Sequence, residues 1–253
     1  MKDRLEFIND YIQQKGEIKI SDLEALKLGV SEMTIRRDLE LLEQKGKIIR
    51  IRGGARSIAS LSKCLIREER FSSRMLENPE GKEIISRKAV TLLEHEQSIY
   101  LDAGTTCTSF ARELPDFYIS AMTNAPNIAI ILADRKHISV TCVGGQLAKE
   151  NFSISGVGSL EFVKNINIDL AFIAASGFSL KNGFTTSNAN ECELKRTIIR
   201  KARQVAVLMD HTKINRVMTF TFAELKDIDI MVTDQNLPEA TLYSARRANV
   251  RVL

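Results

Sequence analysis

The chain has 253 residues, 44% hydrophobic and 27% charged, with a formal net charge of +4, which is ample for one large packed domain or two ordinary ones. No apolar run approaches bilayer-spanning length, and the charged, then amphipathic start Met1-Lys2-Asp3-Arg4-Leu5-Glu6 does not read as a signal peptide. Cys64, Cys107, Cys142 and Cys192 are widely spaced and only three histidines accompany them, so we expect reduced thiols in a cytoplasmic protein with no structural zinc, no cofactor and no membrane partner.

In chain order, Leu5, Ile8 and Ile12 recur at helical spacing over residues 4–14, and Gly16 ends that helix. Ile18 and Ile20 around Lys19 suggest a very short strand. Ser21-Asp22-Leu23-Glu24 has the pattern of a capping box and predicts that a second helix starts with Ser21 as N-cap. Gly29 ends it in the left-handed conformation. The run Val30 to Glu43 then predicts a third helix reaching about Lys45. In it Ile35, Leu39 and Leu42 face a core and Ser31 accepts from a free first-turn N–H. Thr34, Arg36 and Arg37 stand near its start, where a recognition helix touches bases and phosphates. Gly46 stops it, and Ile48-Ile49-Arg50-Ile51-Arg52-Gly53-Gly54 reads as the return of a small hairpin. From Met33 to Arg56 there are seven Lys or Arg against three acids, so the whole formal excess lies in this segment. Three helices and a basic hairpin over residues 1–56 predict a winged helix-turn-helix that binds double-stranded DNA; on charge alone, a solvated basic face is the alternative.

Residues 57–79 read as a connector, small and polar from Ser57 to Ser62, charged at Arg67-Glu68-Glu69-Arg70, and closed by the turn Asn78-Pro79-Glu80. From residue 80 to 253, apolar runs alternate with amphipathic stretches. The predicted strands are Ser98–Leu101, Ile119–Thr123, Ile138–Val143, Asp169–Ala174, Val205–Asp210, Asp229–Thr233 and Val250–Val252. The predicted helices between them include Ile84–Leu93, Ser109–Leu114, Ile128–Ala133, Glu191–Ala202 and Glu239–Ala248. This alternation predicts an α/β domain with a parallel sheet covered on both faces, whose ligands bind at the carboxyl ends of the strands.

Special residues concentrate at those ends. Asp102-Ala103-Gly104-Thr105-Thr106 is a strand end, a glycine turn and a helix start, an arrangement suited to an anion. Thr123-Asn124, Gly144-Gly145 and Asp210-His211-Thr212-Lys213 close further strands, and Lys195 follows the Gly183-Phe184-Thr185-Thr186 turn. Lysines and backbone N–H groups suit a phosphate, and Asp and Asn suit hydroxyls, so a phosphorylated polyol or sugar is the expected ligand. Each residue also has a plainer reading. Lys195 and Lys213 could be solvated, Asp210 could cap the next turn, His211 could be a surface or packing histidine, and Met122 and Met209 could be core.

Together these motifs resemble the DeoR family of bacterial transcriptional regulators over essentially the whole chain. The most specific are Val30-Ser31-Glu32-Met33-Thr34-Ile35-Arg36-Arg37-Asp38-Leu39, then Leu42-Glu43-Gln44-Lys45-Gly46 and the wing Arg52-Gly53-Gly54-Ala55. The resemblance implies a DNA-binding set of Ser31, Thr34, Arg36, Arg37, Arg50, Arg52, Gly53 and Gly54. It implies a sensor domain similar in fold to ribose-5-phosphate isomerase and the coenzyme A transferases, with an effector set of Lys82, Asp102, Gly104, Thr105, Thr106, Thr123, Asn124, Gly144, Gly145, Lys195, Asp210 and Lys213. The family's function would make this chain a homo-oligomeric (dimeric or tetrameric) repressor of a sugar operon, relieved by a phosphorylated sugar. Against the family pattern, Arg52 stands where His is common, which adds phosphate affinity, and Cys107 where a third Thr is frequent, which removes a hydroxyl. The rival reading is a sugar-phosphate isomerase or acyl-transferase with a DNA-binding appendage, although no paired acid–base set stands out.

Overall fold

A computed structural model describes residues 2–26, 28–51, 53–57, 71–235 and 237–253. The chain divides into two compact units, Met1–Arg67 and Glu68–Leu253.

The first unit begins with α1 (Lys2–Lys15), which buries Leu5, Ile8 and Ile12 along one stripe. Gly16 follows at φ 80°, a left-handed conformation in which its N–H bonds Ile12 O at 2.8 Å. Strand β1 (Glu17–Lys19) leads into α2 (Ile20–Ala25). Here the start differs from the expected Ser21 cap: Lys19 is the N-cap residue, and Asp22 Oδ2 accepts from its backbone N–H at 2.8 Å. The helix begins earlier because Ile20 and Leu23 both reach the core, whereas Ser21 stays exposed. Gly29 is left-handed at φ 68°, in the turn beyond α2 rather than at its last residue. Helix α3 (Glu32–Gln44) buries Ile35, Leu39 and Leu42, and Gly46 at φ 64° follows it.

Strands β2 (Ile48–Ile51) and β3 (Gly54–Ser57) form the hairpin. The return strand is therefore β3, not the Ile48–Gly54 run, and it lies centrally in the order β1-β3-β2. It extends one residue into the segment whose composition reads as a connector.

In the second unit, α4 (Phe71–Leu76) and α5 (Pro79–Val90) precede a seven-stranded sheet. Its strands are β4 (Ser98–Leu101), β5 (Ile119–Thr123), β6 (Ile138–Cys142), β9 (Ile168–Ala174), β12 (Ala202–Leu208), β14 (Ile230–Val232) and β15 (Arg251–Val252). They correspond one for one to the seven segments read as strands. Their order is β15-β14-β12-β9-β4-β5-β6, and every pairing is parallel. Alternate side chains serve opposite faces. Ile99, Leu101 and Phe172 join one core with Ile85 and Phe110, while Tyr100, Ala171 and Ile173 join a second with Leu194 and Ile198. A sheet so covered is buried on both sides.

Helices α6 (Thr105–Glu113) and α7 (Pro126–Ala133) follow β4 and β5. Helices α9 (Ala189–Lys201) and α10 (Glu239–Arg247) follow later strands, with α8 (Val157–Val163) before β9. The sequence pattern did not separate the hairpin of β7 (Gln146–Ala148) and β8 (Ser153–Ser155), or the antiparallel sheet of β10 (Gly177–Ser179), β11 (Gly183–Thr186) and β13 (Phe220–Ala223). Gly, Ser, Thr and Gln break up their apolar residues, so they lack the continuous apolar runs that mark most of the parallel strands. From β4 the chain winds outward through β5 and β6, then returns beside β4 and winds the other way from β9. The switch point lies between β4 and β9, where sheets of this kind open a crevice.

Candidate functional site

In the first unit, Ser31 Oγ accepts from Thr34 N at 3.4 Å and lies 3.1 Å from Thr34 Oγ1, so this helix start is fixed as its sequence suggests. Arg36 and Arg37 are exposed on α3. Arg36 donates from Nε (2.8 Å) and Nη2 (2.6 Å) to Glu32 Oε1, one turn back. Arg37 has no ion-pair partner among the described residues. On β2, the Arg50 guanidinium stands 3.6 Å from Glu40 and 4.0 Å from Glu43, and the Arg50 N–H donates to Glu43 Oε1 at 2.9 Å. Exposed pairs of this sort are weak, so these guanidinium groups can exchange a carboxylate for another anion at little cost. Gly53 occupies the exposed hairpin turn at φ 82°. Gly54 is buried in β3, where a Cβ would stand 2.0 Å from Ile18 O, so the absence of a side chain allows two strands to approach closely. Arg52 lies outside the described residues. Sequence reasoning missed Asp38: buried in α3, it accepts from Arg4 Nε at 2.7 Å and Nη2 at 3.2 Å, a two-pronged bond that clamps α1 to α3.

In the second unit, the crevice at the switch point is a narrow cleft lined by Gly104, Thr105, Thr106, Lys195 and Lys213, together with Arg74, Asn151, Glu191 and Arg216. Gly104 turns the chain at φ 137°, with Ala174 Cβ 3.0 Å from where a Cβ would stand. The side chains of Thr105 and Thr106 open α6, whose first-turn N–H groups have no intrahelical acceptor. Neither threonine hydroxyl has a hydrogen-bond partner among the described residues.

Behind this wall, Lys195 Nζ pairs with Asp102 and donates to Ala174 O at 2.9 Å, while Asp102 accepts from Ala174 N at 3.0 Å. Burial works against the Lys195 ammonium, but Asp102 and Glu191 outweigh it and hold the lysine above its ordinary value. Asn124 Oδ1 accepts from Ala103 N at 3.0 Å and its amide donates to Ile154 O at 3.1 Å, which positions the turn from below. Thr123 Oγ1 accepts from Ala125 N at 3.1 Å at the start of α7.

Of the remaining predicted residues only Lys213 lines the cleft. Gly144 and Gly145 lie exposed between β6 and β7, with Ser159 Oγ donating to Gly144 O at 2.7 Å. Lys82 is buried in α5 and donates to Arg74 O at 2.6 Å and to Glu77 O, and burial lowers its pKa although Asp210 opposes this. Asp210 Oδ1 accepts from Thr212 N at 2.9 Å, capping the 3-10 turn His211–Lys213, and its buried Oδ2 has no hydrogen-bond partner among the described residues. Lys213 pairs with Glu77 at 3.0 Å. His211 Nδ1 lies 2.7 Å from Asp234 Oδ2 while its side chain stays 41% exposed, so it is a surface histidine held by a carboxylate, and Met209 is core. Burial raises the Cys107 thiol, so it stays protonated and inert.

Glu191 and Arg74 were missed. Glu191 precedes Lys195 by one helical turn, a spacing that places both on one face. Its carboxylate is held by Ser153 Oγ at 2.6 Å, Thr186 Oγ1 at 3.3 Å and Asn151. Among the described residues no acidic or thiol cluster suited to a metal occurs, and no helix is long and apolar enough to cross a membrane.

Residues 4–61 match the model of the DeoR-like helix-turn-helix domain and residues 77–235 that of the DeoR C-terminal sensor domain. The chain is 34% identical to the HTH-type transcriptional regulator GolR of Listeria innocua, over 95% of this chain and 93% of that protein. It is 33% identical to the HTH-type transcriptional repressor GlcR of Bacillus subtilis, over 92% and 88%. Ribose 5-phosphate isomerase A from Methanocaldococcus jannaschii is a partial structural likeness, with 16% identity, 55% of each chain covered and a TM-score of 0.41.

Proposed function

This chain belongs to the DeoR family of transcriptional regulators, and on that premise we propose that it represses a carbohydrate-metabolism operon until a phosphorylated sugar occupies the sensor cleft. The observation that carries the effector reading is the convergence at the switch point. The first turn of α6, with two unpartnered threonine hydroxyls, faces the same narrow space as Lys213, Arg74 and Arg216. Backbone N–H groups, hydroxyls and cations around one cleft suit a phosphate dianion, and the polar side chains around it suit sugar hydroxyls. In the DNA-binding unit, α3 would enter the major groove with Ser31, Thr34, Arg36 and Arg37. Arg50, Arg52 and the Gly53-Gly54 wing would follow the backbone. One such unit reads only a short half-site, so the repressor would act in the cytoplasm as a homo-oligomer on repeated sites.

The test is a thermal-shift screen of pentose and hexose phosphates against their unphosphorylated sugars, followed by operator release. A phosphate-dependent rise in Tm with loss of DNA binding is expected; equal shifts from the free sugars would overturn the assignment.

A further inference from the structure

Helix α4 is the first described element of the sensor unit, and in sequence it follows directly on the segment joining that unit to the DNA-binding unit. Contacts along its length hold it. At its start, Phe71 N donates to Glu150 O at 2.9 Å, and the Phe71 ring meets Phe152 edge-on at 5.1 Å. In the middle, Arg74 is buried and lines the cleft beside Thr105 and Thr106. At its end, the buried Lys82 ammonium donates to the carbonyls of Arg74 and Glu77. Just past it, the Glu77 carboxylate pairs with Lys213 at 3.0 Å. Lys213 therefore has a carboxylate from this helix end on one side and the cleft on the other.

A dianion in the cleft acts on this helix in three ways. It attracts Arg74, repels Glu77 three residues on, and competes with Glu77 for the Lys213 ammonium. Lys195 cannot take over that task, because Asp102 and Ala174 O already engage it. We propose, resting on the reading of the cleft as a sugar-phosphate site, that Arg74 is a ligand of the phosphate and that Glu77–Lys213 is a latch which the phosphate opens. Occupancy of the cleft is thereby converted into displacement of α4.

The experiment uses the full chain with inorganic phosphate as the probe, at constant ionic strength against chloride. Calorimetric titration reports binding, and hydrogen exchange over residues 71–77 reports the latch. Phosphate is expected to speed exchange in that segment several-fold. Glu77→Gln should show the fast exchange without phosphate and bind phosphate more tightly than the wild type. Arg74→Ala should weaken phosphate binding about tenfold, the weight of a charge-assisted bond, and Arg74→Lys should restore part of it. Phosphate that binds without changing exchange over 71–77, with Glu77→Gln behaving as wild type, overturns the latch and leaves the cleft reading standing. No phosphate binding to the wild type overturns the cleft reading, and the latch with it.

Discussion

Arg36 stands on the exposed face of α3 with its guanidinium held by Glu32. That exposed pair is weak, so on the proposed reading the guanidinium can leave it for a base edge. Arg36→Ala is expected to cost about 1–3 kcal/mol of specific binding while leaving the fold intact; footprinting on the operator checks it, and an unchanged footprint removes Arg36 from the readout. In the sensor, the Asp102–Lys195 pair is almost fully buried. Lys195→Met would strand a buried carboxylate, at a cost of roughly 3–5 kcal/mol in denaturant unfolding. Adding Asp102→Leu should recover much of that loss, and a double variant no more stable than the single one would contradict the pairing. The pH dependence follows from the raised Lys195 pKa. Its contribution to stability is complete below the unfolded lysine value of about 10.4 and is lost as pH climbs through the higher folded value.

At the scale of elements, the wing depends on close strand approach. Gly54→Ala would drive a Cβ into Ile18 O, so the hairpin must open and DNA binding should fall with it. Gly53→Asn has open space around it and needs only a left-handed backbone, which Asn tolerates. A gel-shift series should therefore rank wild type near Gly53→Asn and well above Gly54→Ala; the reverse order would contradict this account of the two glycines. The start of α2 shows how a local signal is overridden. Ser21 had a cap's chemistry, but burying Ile20 and Leu23 moved the helix start back and made Asp22 the group that satisfies Lys19 N–H.

Over the whole molecule, a ligand that binds only the folded sensor adds stability in proportion to the logarithm of its excess over Kd, about 2.7 kcal/mol at a hundredfold excess. A sugar phosphate should therefore raise the unfolding transition of the Glu68–Leu253 unit, resolved by calorimetry from that of the DNA-binding unit. A ligand that shifts the first unit's transition instead would place its site elsewhere. By itself the sequence determined the seven parallel strands, the three helices before the hairpin, and the strand-end residues Asp102, Gly104, Thr105 and Thr106. Apolar periodicity, glycine at left-handed turns and helix-start chemistry all act over a few neighbouring residues, so they can be read locally. Only the tertiary structure decided the strand order, the partnership of Asp102 with a lysine 93 positions away, and the separation of Thr123, Gly144 and Gly145 from the cleft wall. It alone brought Arg74 and Glu191 to the cleft. Such groupings depend on which strand ends become neighbours when two apolar faces are buried at once, and that is a property of the packed sheet rather than of any stretch of chain.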